Sequence, residues 1–324
     1  MSTGFSGDGF GAEHWKYFGV YGNSSRRRTD VVFSHRTFRK MFSEKRKRFR
    51  RSLLTIMTLG VLLCPLHARA LTIEFAGLEV LVGNVPALDA LARAADQWEA
   101  IFVNPMTVNI QTSMFNVGDN SLAFGGGSIV TESYDTVRNA LVADAMSSPS
   151  KNINTFLPTS TELSFDAPTG ISVNASQVLF SETIAIALGI PVNNPSPSII
   201  GFNNQFSWDF NRNNGIDPEK FDFEGVAVHE IGHTLGFLYS GVNPIGSCQQ
   251  AGDTNCSVVP GIMDLFRFEQ GSAPSTPSEF ATFARSLNPE VETVFSDSRS
   301  QFAMSTGIGG DGFSGEHWKF SEIT

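Results

Sequence analysis

The strongest constraint in this sequence is a pair of histidines, His229 and His233, with Glu230 between them in an apolar segment. The segment reads Val226-Ala-Val-His-Glu-Ile-Gly-His-Thr-Leu-Gly236-Phe237. On an α-helix, positions i and i+4 lie on one face, so both imidazoles would face the same point. A buried helix carrying two imidazoles and a carboxylate is unfavourable unless these groups are paired or hold a metal ion. The sequence therefore predicts a helix over Phe223–Leu238, capped by Asp222, that carries part of a metal site.

Zinc is the metal that these residue types favour. It prefers neutral imidazole nitrogens, and in catalytic sites it takes three protein ligands and leaves one position open for water. Glu230 lies next to that open position and can take a proton from the water as it attacks a carbonyl, while zinc lowers the pKa of the water and polarises the substrate. The alternative is a helix with two unrelated histidines, against which the apolar neighbours argue.

Residues 41–70 have the three parts of a secretory signal peptide. Six lysines and arginines between Lys45 and Arg51 precede an apolar stretch from Leu53 to Leu66, and Ala68-Arg69-Ala70 places small residues where signal peptidase reads them. The alternative is a membrane anchor, but this stretch is shorter than the roughly 20 residues that a bilayer span needs. We expect cleavage near Ala70, export to the extracellular space or the periplasm, and no stable membrane span afterwards.

Charge divides the chain at the same place. Residues 1–70 hold 14 of the 23 lysines and arginines but only four of the 32 acidic residues, so the rest of the chain is strongly acidic. Phosphate binding needs a basic face, and an acidic body therefore argues against nucleic acid as a partner.

Residues 1–16 nearly repeat residues 304–319, with twelve of sixteen positions identical. Because a signal peptide begins near the N-terminus of a protein, we expect residues 1–40 to derive from a neighbouring duplicated gene and translation to begin at Met41. The alternative is a terminal repeat that pairs in space, although repeats normally recur as arrays. The expected organisation is a non-native leader (1–40), a signal peptide (41–70) and one domain (71–324).

The third metal ligand follows from a census of histidines. Of the six in the chain, His14, His35 and His67 precede residue 71. His317 is therefore the one histidine that remains in addition to the helical pair. A single histidine in a glycine-rich loop is usually a solvated surface residue. As the remaining imidazole, and in the repeated segment, His317 is nevertheless predicted to be a ligand. Glu316 beside it is the alternative ligand, or a residue that supports one.

The helical segment followed at a distance by His317-Trp318 resembles the leishmanolysin-type arrangement of the metzincin clan of zinc peptidases, where the third zinc histidine lies far downstream. The stretch Phe221–His233, with Phe206–Phe210 before it, also resembles a family of exported bacterial metallopeptidases. The resemblance is specific over 199–243 and 304–319. It implies a zincin-like fold, Glu230 as general base, and His229, His233 and His317 as zinc ligands.

Two positions depart from the metzincin pattern. Tyr239, which is not a usual zinc ligand, stands where metzincins usually have their third ligand. Metzincins also have a methionine-containing turn beneath the zinc, after that ligand. No methionine follows His317 in this sequence, and Met263 and Met304 precede it. We therefore expect the domain to be C-terminally incomplete or to have lost this turn. A catalytically inactive zincin-fold protein with a binding or surface role is the alternative function.

Hydrophobic periodicity predicts the other elements and an α+β fold. We expect two short strands around a hairpin turn at Asn203-Asn204, then a loop-rich part after the Phe223–Leu238 helix. An edge strand within Ser198–Phe210 should pair with an extended peptide beside the active-site helix. Periodic segments predict four further helices and a strand: Val85–Phe102, Ser133–Met146, Gln177–Leu188 and Ser278–Ser286 as helices, and Met106–Ile110 as the strand.

Two further features concern the loops. Export favours oxidation, so Cys248 and Cys256 are expected to form a disulfide rather than two free thiols. A polar loop resembles a calcium site, although Gly215 lies one place late and Lys220 replaces the usual bidentate glutamate; a hydrated turn is the alternative. The candidate calcium ligands are Asp209, Asn211, Asn213 and Asp217.

Taken together, these patterns predict a secreted zinc-dependent metalloendopeptidase that acts on proteins or peptides. A zinc hydrolase with a non-peptide substrate is a third possibility, because a fold does not define a substrate.

Overall fold

The structure is a computed structural model that describes residues 71–319 except 82, 103, 117–120, 148 and 254. The predicted leader and signal peptide lie outside the described residues. In the part of the chain that is described, no helix has the length and the apolar character that crossing a bilayer requires.

The described residues form helices and strands that are mixed along the chain. The α-helices are α1 (Val85–Glu99), α2 (Tyr134–Ser147), α3 (Glu182–Ala187), α4 (Phe223–Leu235), α5 (Val242–Ala251) and α6 (Pro277–Thr282). The strands are β1 (Thr72–Ala76), β2 (Thr107–Phe115), β3 (Ala123–Gly126), β4 (Ile129–Ser133), β5 (Phe165–Asp166), β6 (Ser172–Val173), β7 (Gln177–Ser181), β8 (Ser198–Asn203), β9 (Trp208–Asp209), β10 (Phe221–Asp222), β11 (Ser257–Val258), β12 (Arg267–Glu269), β13 (Arg285–Ser286), β14 (Thr293–Ser296) and β15 (Gln301–Met304).

The largest sheet is mixed, with strand order β1-β2-β8-β3. β1, β2 and β8 are parallel to one another, and β3 pairs antiparallel with β8. One apolar core joins this sheet to α1 and α4; among its buried members are Ile110, Ile200, Phe202, Ala227 and Ile231. The predicted α+β class is confirmed at this level.

A second core lies among α2, α3, α6 and the 3₁₀ turn at Ile262–Phe266, and it contains Tyr134, Phe180, Leu265 and Phe280. The three-stranded antiparallel sheet β12-β14-β15 adjoins it through Phe268 and Phe295. The part of this second core that follows α4 lies between that helix and the segment around residue 317 in the sequence.

The prediction that the strand within Ser198–Phe210 lies at the edge of the sheet was wrong. β8 is an interior strand because its neighbours β2 and β3 pair on both sides, and its residues are almost all buried. The edge next to α4 is β3, whose sequence Ala-Phe-Gly-Gly has little strand propensity and therefore gave no signal. The predicted hairpin at Asn203-Asn204 was also wrong, since β9 pairs with β10 and not with β8.

The local sequence patterns predicted most of the helices correctly, but some of the predicted helix ends were wrong. α1 and α2 match their predictions to within three residues. The predicted helix at Gln177–Leu188 is strand β7 followed by α3, because Ser181 is extended and caps α3 by accepting a hydrogen bond from Ile184 N at 3.2 Å. The predicted C-terminal helix ends at Thr282. The periodicity gave no prediction for α5, whose glycine and proline residues hide its helical pattern.

The helix α4 begins where predicted because Asp222 caps it, accepting a hydrogen bond from Gly225 N at 3.1 Å. In its first turn the buried Glu224 accepts hydrogen bonds from Arg93 Nε at 2.7 Å and from Gln97 Nε2 at 2.9 Å, both on α1. Further along, Trp98 Nε1 donates to Val228 O at 2.9 Å. These contacts fix α4 against α1 along the two turns that precede the histidine pair.

We expect Asp222→Ala to lower the free energy of unfolding by about 1 kcal/mol, because the first turn of α4 loses its cap. Asp222→Asn keeps a side-chain acceptor and should lose less. Urea unfolding of the purified variants measures both values. Equal stability of Asp222→Ala and the unmodified chain would contradict this role.

Candidate metal centre

Three imidazoles converge at one point in the described residues. His229, His233 and His317 each offer one ligand atom, and these atoms lie within 4.8 Å of one another. His233 Nε2 lies 3.1 Å from the Nε2 atom of His229 and 3.1 Å from that of His317. The rings of His229 and His317 are parallel, and that of His233 is nearly perpendicular to both. The structure thus brings together the three histidines that the sequence singled out.

The hydrogen bonds of two rings fix which nitrogen carries the proton and which carries the lone pair. His233 Nδ1 donates to Phe237 O in a short hydrogen bond, and His317 Nδ1 donates to Ser314 O at 3.1 Å. In a neutral imidazole the other nitrogen then carries a lone pair. Two lone pairs therefore face each other at 3.1 Å, an arrangement that a cation between them stabilises.

Burial keeps these rings neutral, which is the form that binds metals. It lowers the pKa of His229 to about 3, with a further contribution from the neighbouring imidazoles. Burial also lowers the pKa of His233 and of His317. The cluster therefore offers lone pairs rather than positive charges at neutral pH.

The spacing of the His233 ligand atom from the other two suits a tetrahedral ion. Zinc–nitrogen bonds of 2.0–2.1 Å in a tetrahedron place the nitrogens about 3.3–3.4 Å apart. The two separations that involve His233, each 3.1 Å, are close to this value. Three histidines at such distances can hold a metal ion, and an imidazole set suits zinc, copper, iron or nickel.

Glu230 lies on the same helix with its carboxylate buried, only 3% of the residue being exposed. Among the described residues none donates a hydrogen bond to Oε2. Burial raises the pKa of Glu230 to about 8, and a cation at the histidines would lower it again, since an opposite charge favours the carboxylate. Glu230 Oε2 is thus buried without a hydrogen-bond donor, and the histidines on the same helix present lone pairs. Such groups are expected where a cation and a polar ligand complete the site.

Sequence reasoning missed Gly125, which lets the edge strand approach this carboxylate. A Cβ atom on Gly125 would lie 2.9 Å from Glu230 Oε2 and 2.4 Å from Glu230 O. β3 therefore runs directly against the turn of α4 that carries Glu230. The run Gly125-Gly126-Gly127 was the available signal, because glycine runs in strands mark close approach of backbone.

The turn after α4 orients His233. Gly236 has φ 133°, a conformation that side chains rarely adopt, and a Cβ atom there would lie 2.4 Å from Ile184 Cδ1. This turn brings Phe237 back so that its carbonyl accepts the Nδ1 proton of His233. The glycine three residues after His233 is thus required for the orientation of the His233 ring, and it ends the helix three residues before the predicted end at Leu238.

His317 reaches the cluster on an irregular segment that is held by strand-like contacts. Ser305 N donates to His317 O at 2.9 Å, Lys319 N donates to Ala303 O at 2.8 Å, and Trp318 forms a bridge with Met304. The Trp318 ring contacts those of Phe237, Phe295 and Phe302.

The near copy at residues 1–16 does not fit this place without adjustment. It has Ala12 where the 304–319 segment has Gly315. A Cβ atom on Gly315 would lie 2.1 Å from Val242 Cγ2. Among the two repeated histidines, the packing therefore favours His317 over His14 as the ligand.

The remaining candidates are placed elsewhere. Glu316 accepts a hydrogen bond from Asn243 Nδ2 at 2.8 Å and does not belong to the group of converging ligand atoms. Tyr239 donates to Val259 O at 3.3 Å. Met263 packs in the second core, and Met304 is fully buried.

The two predictions for the loops have different outcomes. Cys248 and Cys256 form the predicted disulfide. In the polar loop, Asp209 accepts hydrogen bonds from Asn211 N and Asp217 N, and Lys220 Nζ lies 3.2 Å from Asp217 Oδ2. The loop satisfies its own carboxylates in this way, and calcium binding stays a prediction.

Comparison with models of protein families, with curated proteins and with solved structures gave no match. The fold and the geometry of the cluster therefore carry the functional argument.

We expect Gly236→Ala to weaken zinc binding about tenfold or more, since the cost of losing a group that orients a metal ligand is about 10–100-fold. The variant should also unfold more easily, because the added methyl group would strain the backbone and contact Ile184. Gly252→Ala is the matched control: Gly252 also has positive φ but has nothing within 4 Å of the added Cβ. Competition titration with a zinc chelator measures both affinities, and equal affinities of the two variants would contradict the role of the turn.

Proposed function

We propose that the chain is a zinc metallopeptidase with a zincin-like fold, exported by the signal peptide that the sequence predicts. One observation carries the proposal: the ligand atoms of one buried and two partly buried imidazoles converge, and the adjacent buried Glu230 has an Oε2 atom without a hydrogen-bond donor among the described residues. This combination is the donor set of a hydrolytic zinc site with a general base. The resemblance of the His229–Phe237 segment to metzincins supports the same class.

His229, His233 and His317 would hold the ion. When bound in such a site, zinc lowers the pKa of a water molecule and polarises a substrate carbonyl. Glu230 would accept the proton of the attacking water and later donate it to the leaving amine. Its burial beneath β3 excludes bulk water from the carboxylate and keeps it fixed relative to the histidines.

The edge of β3 supports a peptide as substrate. Its outer edge is unpaired in the described residues, and an extended peptide can bind there by strand addition, close to Glu230. A groove of about 380 Å³ lies along the same strand and is lined by Phe124, Gly125, Gly126, Gly127, Ser128, Ile129, Pro197, Ile199 and Leu238. Its apolar lining would accept an apolar side chain of the substrate.

We expect His317→Ala to raise the dissociation constant for zinc by on the order of a hundredfold or more, because losing a ligand costs at least as much as losing a residue that supports one. In the full 324-residue chain, which retains residues 1–40, His14→Ala is the matched control from the near copy and should bind zinc as the unmodified chain does. Isothermal titration with zinc distinguishes the two. A loss in His14→Ala and none in His317→Ala would reverse the assignment of the third ligand.

We expect Glu230→Gln to reduce casein cleavage by about 100- to 10,000-fold, because the general base is lost while the ligands remain. Zinc content should stay the same, and Glu269→Gln, an exposed carboxylate, should leave cleavage unchanged. One zinc per chain without any cleavage that depends on Glu230 would instead indicate the alternative, a zincin-fold binding protein.

A further inference from the structure

His317 follows His233 by 84 residues and lies after a glycine-rich loop rather than on a helix or in the main sheet. Five glycines fall within the fifteen residues before it: Gly307, Gly309, Gly310, Gly312 and Gly315. Glycine loses more conformational freedom on folding than any other residue. A loop of this composition therefore needs specific contacts to hold one ring within bonding distance of an ion.

Asn243, in the first turn of α5, makes two such contacts. Its Oδ1 accepts a hydrogen bond from Gly315 N at 2.7 Å, and its Nδ2 donates to Glu316 Oε2 at 2.8 Å. One amide group thus holds the backbone and the side chain of the two residues immediately before His317. Glu316 is 8% exposed, so this bond is sheltered from competition by water.

Arg267 holds the same loop from the other side. It is fully buried, and its guanidinium donates to Ser305 O at 2.9 Å, to Gly315 O in a short bond, and to Thr293 Oγ1 at 2.7 Å. Its charge is balanced by Asp264, whose Oδ1 accepts from Arg267 Nε at 3.1 Å.

Asp264 continues the connection to the segment after α4. It accepts hydrogen bonds from Ser240 Oγ and from Gly241 N, each at 2.7 Å. The chain that leaves the histidine helix and the loop that brings His317 are therefore joined through one buried ion pair. Asn243 adds a second connection between the same two segments.

We propose that Asn243 is a positioning residue for the metal centre, and that Asn243, Asp264 and Arg267 form a clamp that sets the place of His317 relative to His229 and His233. The proposal rests on the proposed metal site. Without Asn243 the loop is less ordered in the metal-free chain. Metal binding must then also order the loop, and this cost weakens the observed affinity for the metal.

Cobalt binding to the purified chain tests the clamp, with the visible spectrum of the bound ion as a second readout. We expect Asn243→Ala to raise the dissociation constant for Co²⁺ by about tenfold or more. The spectrum should also change, because the geometry of the His317 ring is altered. The control, Gln250→Ala, should keep the Co²⁺ affinity and the spectrum of the unmodified chain. Gln250 lies on the same helix and donates to Ile308 O at 3.4 Å.

The Glu316 variants separate positioning from general packing. Glu316→Gln keeps a side-chain oxygen that accepts from Asn243, and should retain Co²⁺ affinity. Glu316→Ala removes the acceptor and should lose affinity as Asn243→Ala does. Asn243→Asp cannot donate to Glu316 and places two carboxylates together, so it should lose at least as much.

Two results would overturn different parts of the account. Failure of the unmodified chain to bind Co²⁺ would overturn the metal centre itself. Normal binding by the unmodified chain, with the same dissociation constant and spectrum in Asn243→Ala and Asn243→Asp, would overturn the clamp and leave the metal centre in place.

Discussion

The arrangement of the domain depends on holding three imidazoles together, partly or fully shielded from water, with the buried carboxylate of Glu230 on the same helix as two of them. Each of these groups loses hydration, and the effect is large enough to lower the pKa of His229 to about 3 and to raise that of Glu230 to about 8. A cation at the centre would restore the lost interactions, because it would accept lone pairs from the rings and favour the ionised carboxylate. Much of the surrounding packing holds these groups in place although their loss of hydration is unfavourable.

The two parts of the centre are built in different ways. His229, Glu230 and His233 are placed on one helix, and the turn at Gly236 orients the His233 ring. The sheet and α1 fix this helix through Trp98, Glu224 and the apolar core. His317 has no such local support. Its position comes from packing of distant segments, from the aromatic contacts of Trp318 and from the hydrogen bonds around Gly315.

The sequence predicted the helical part of the site well because a spacing of four residues fixes a shared face whatever the rest of the fold does. It identified His317 by elimination among six histidines, without any information about how the loop would reach the helix. The cap at Asp222 was predictable for the same local reason. The disulfide followed from the number of cysteines left after residue 70.

Features that depend on tertiary context were not predictable in this way. β3 has a sequence without strand preference and becomes an edge strand because β8 is beside it, whereas β8 was expected at the edge and is interior. The segment 177–188 has apolar spacing that suits a helix, yet its first half pairs with β4. The hydrogen bonds of Asn243 and Arg267 to the His317 loop join residues far apart in sequence, and no periodicity indicates such partners.

X-ray absorption at the zinc edge tests the central claim most directly, because it reports which atoms bind the ion. The purified chain loaded with one equivalent of zinc should give three imidazole nitrogens at about 2.0 Å and a light-atom ligand in the remaining position. In His317→Ala one of these imidazole contributions should disappear. Fewer than three imidazoles in the unmodified chain, or a sulfur ligand, would contradict the centre described above.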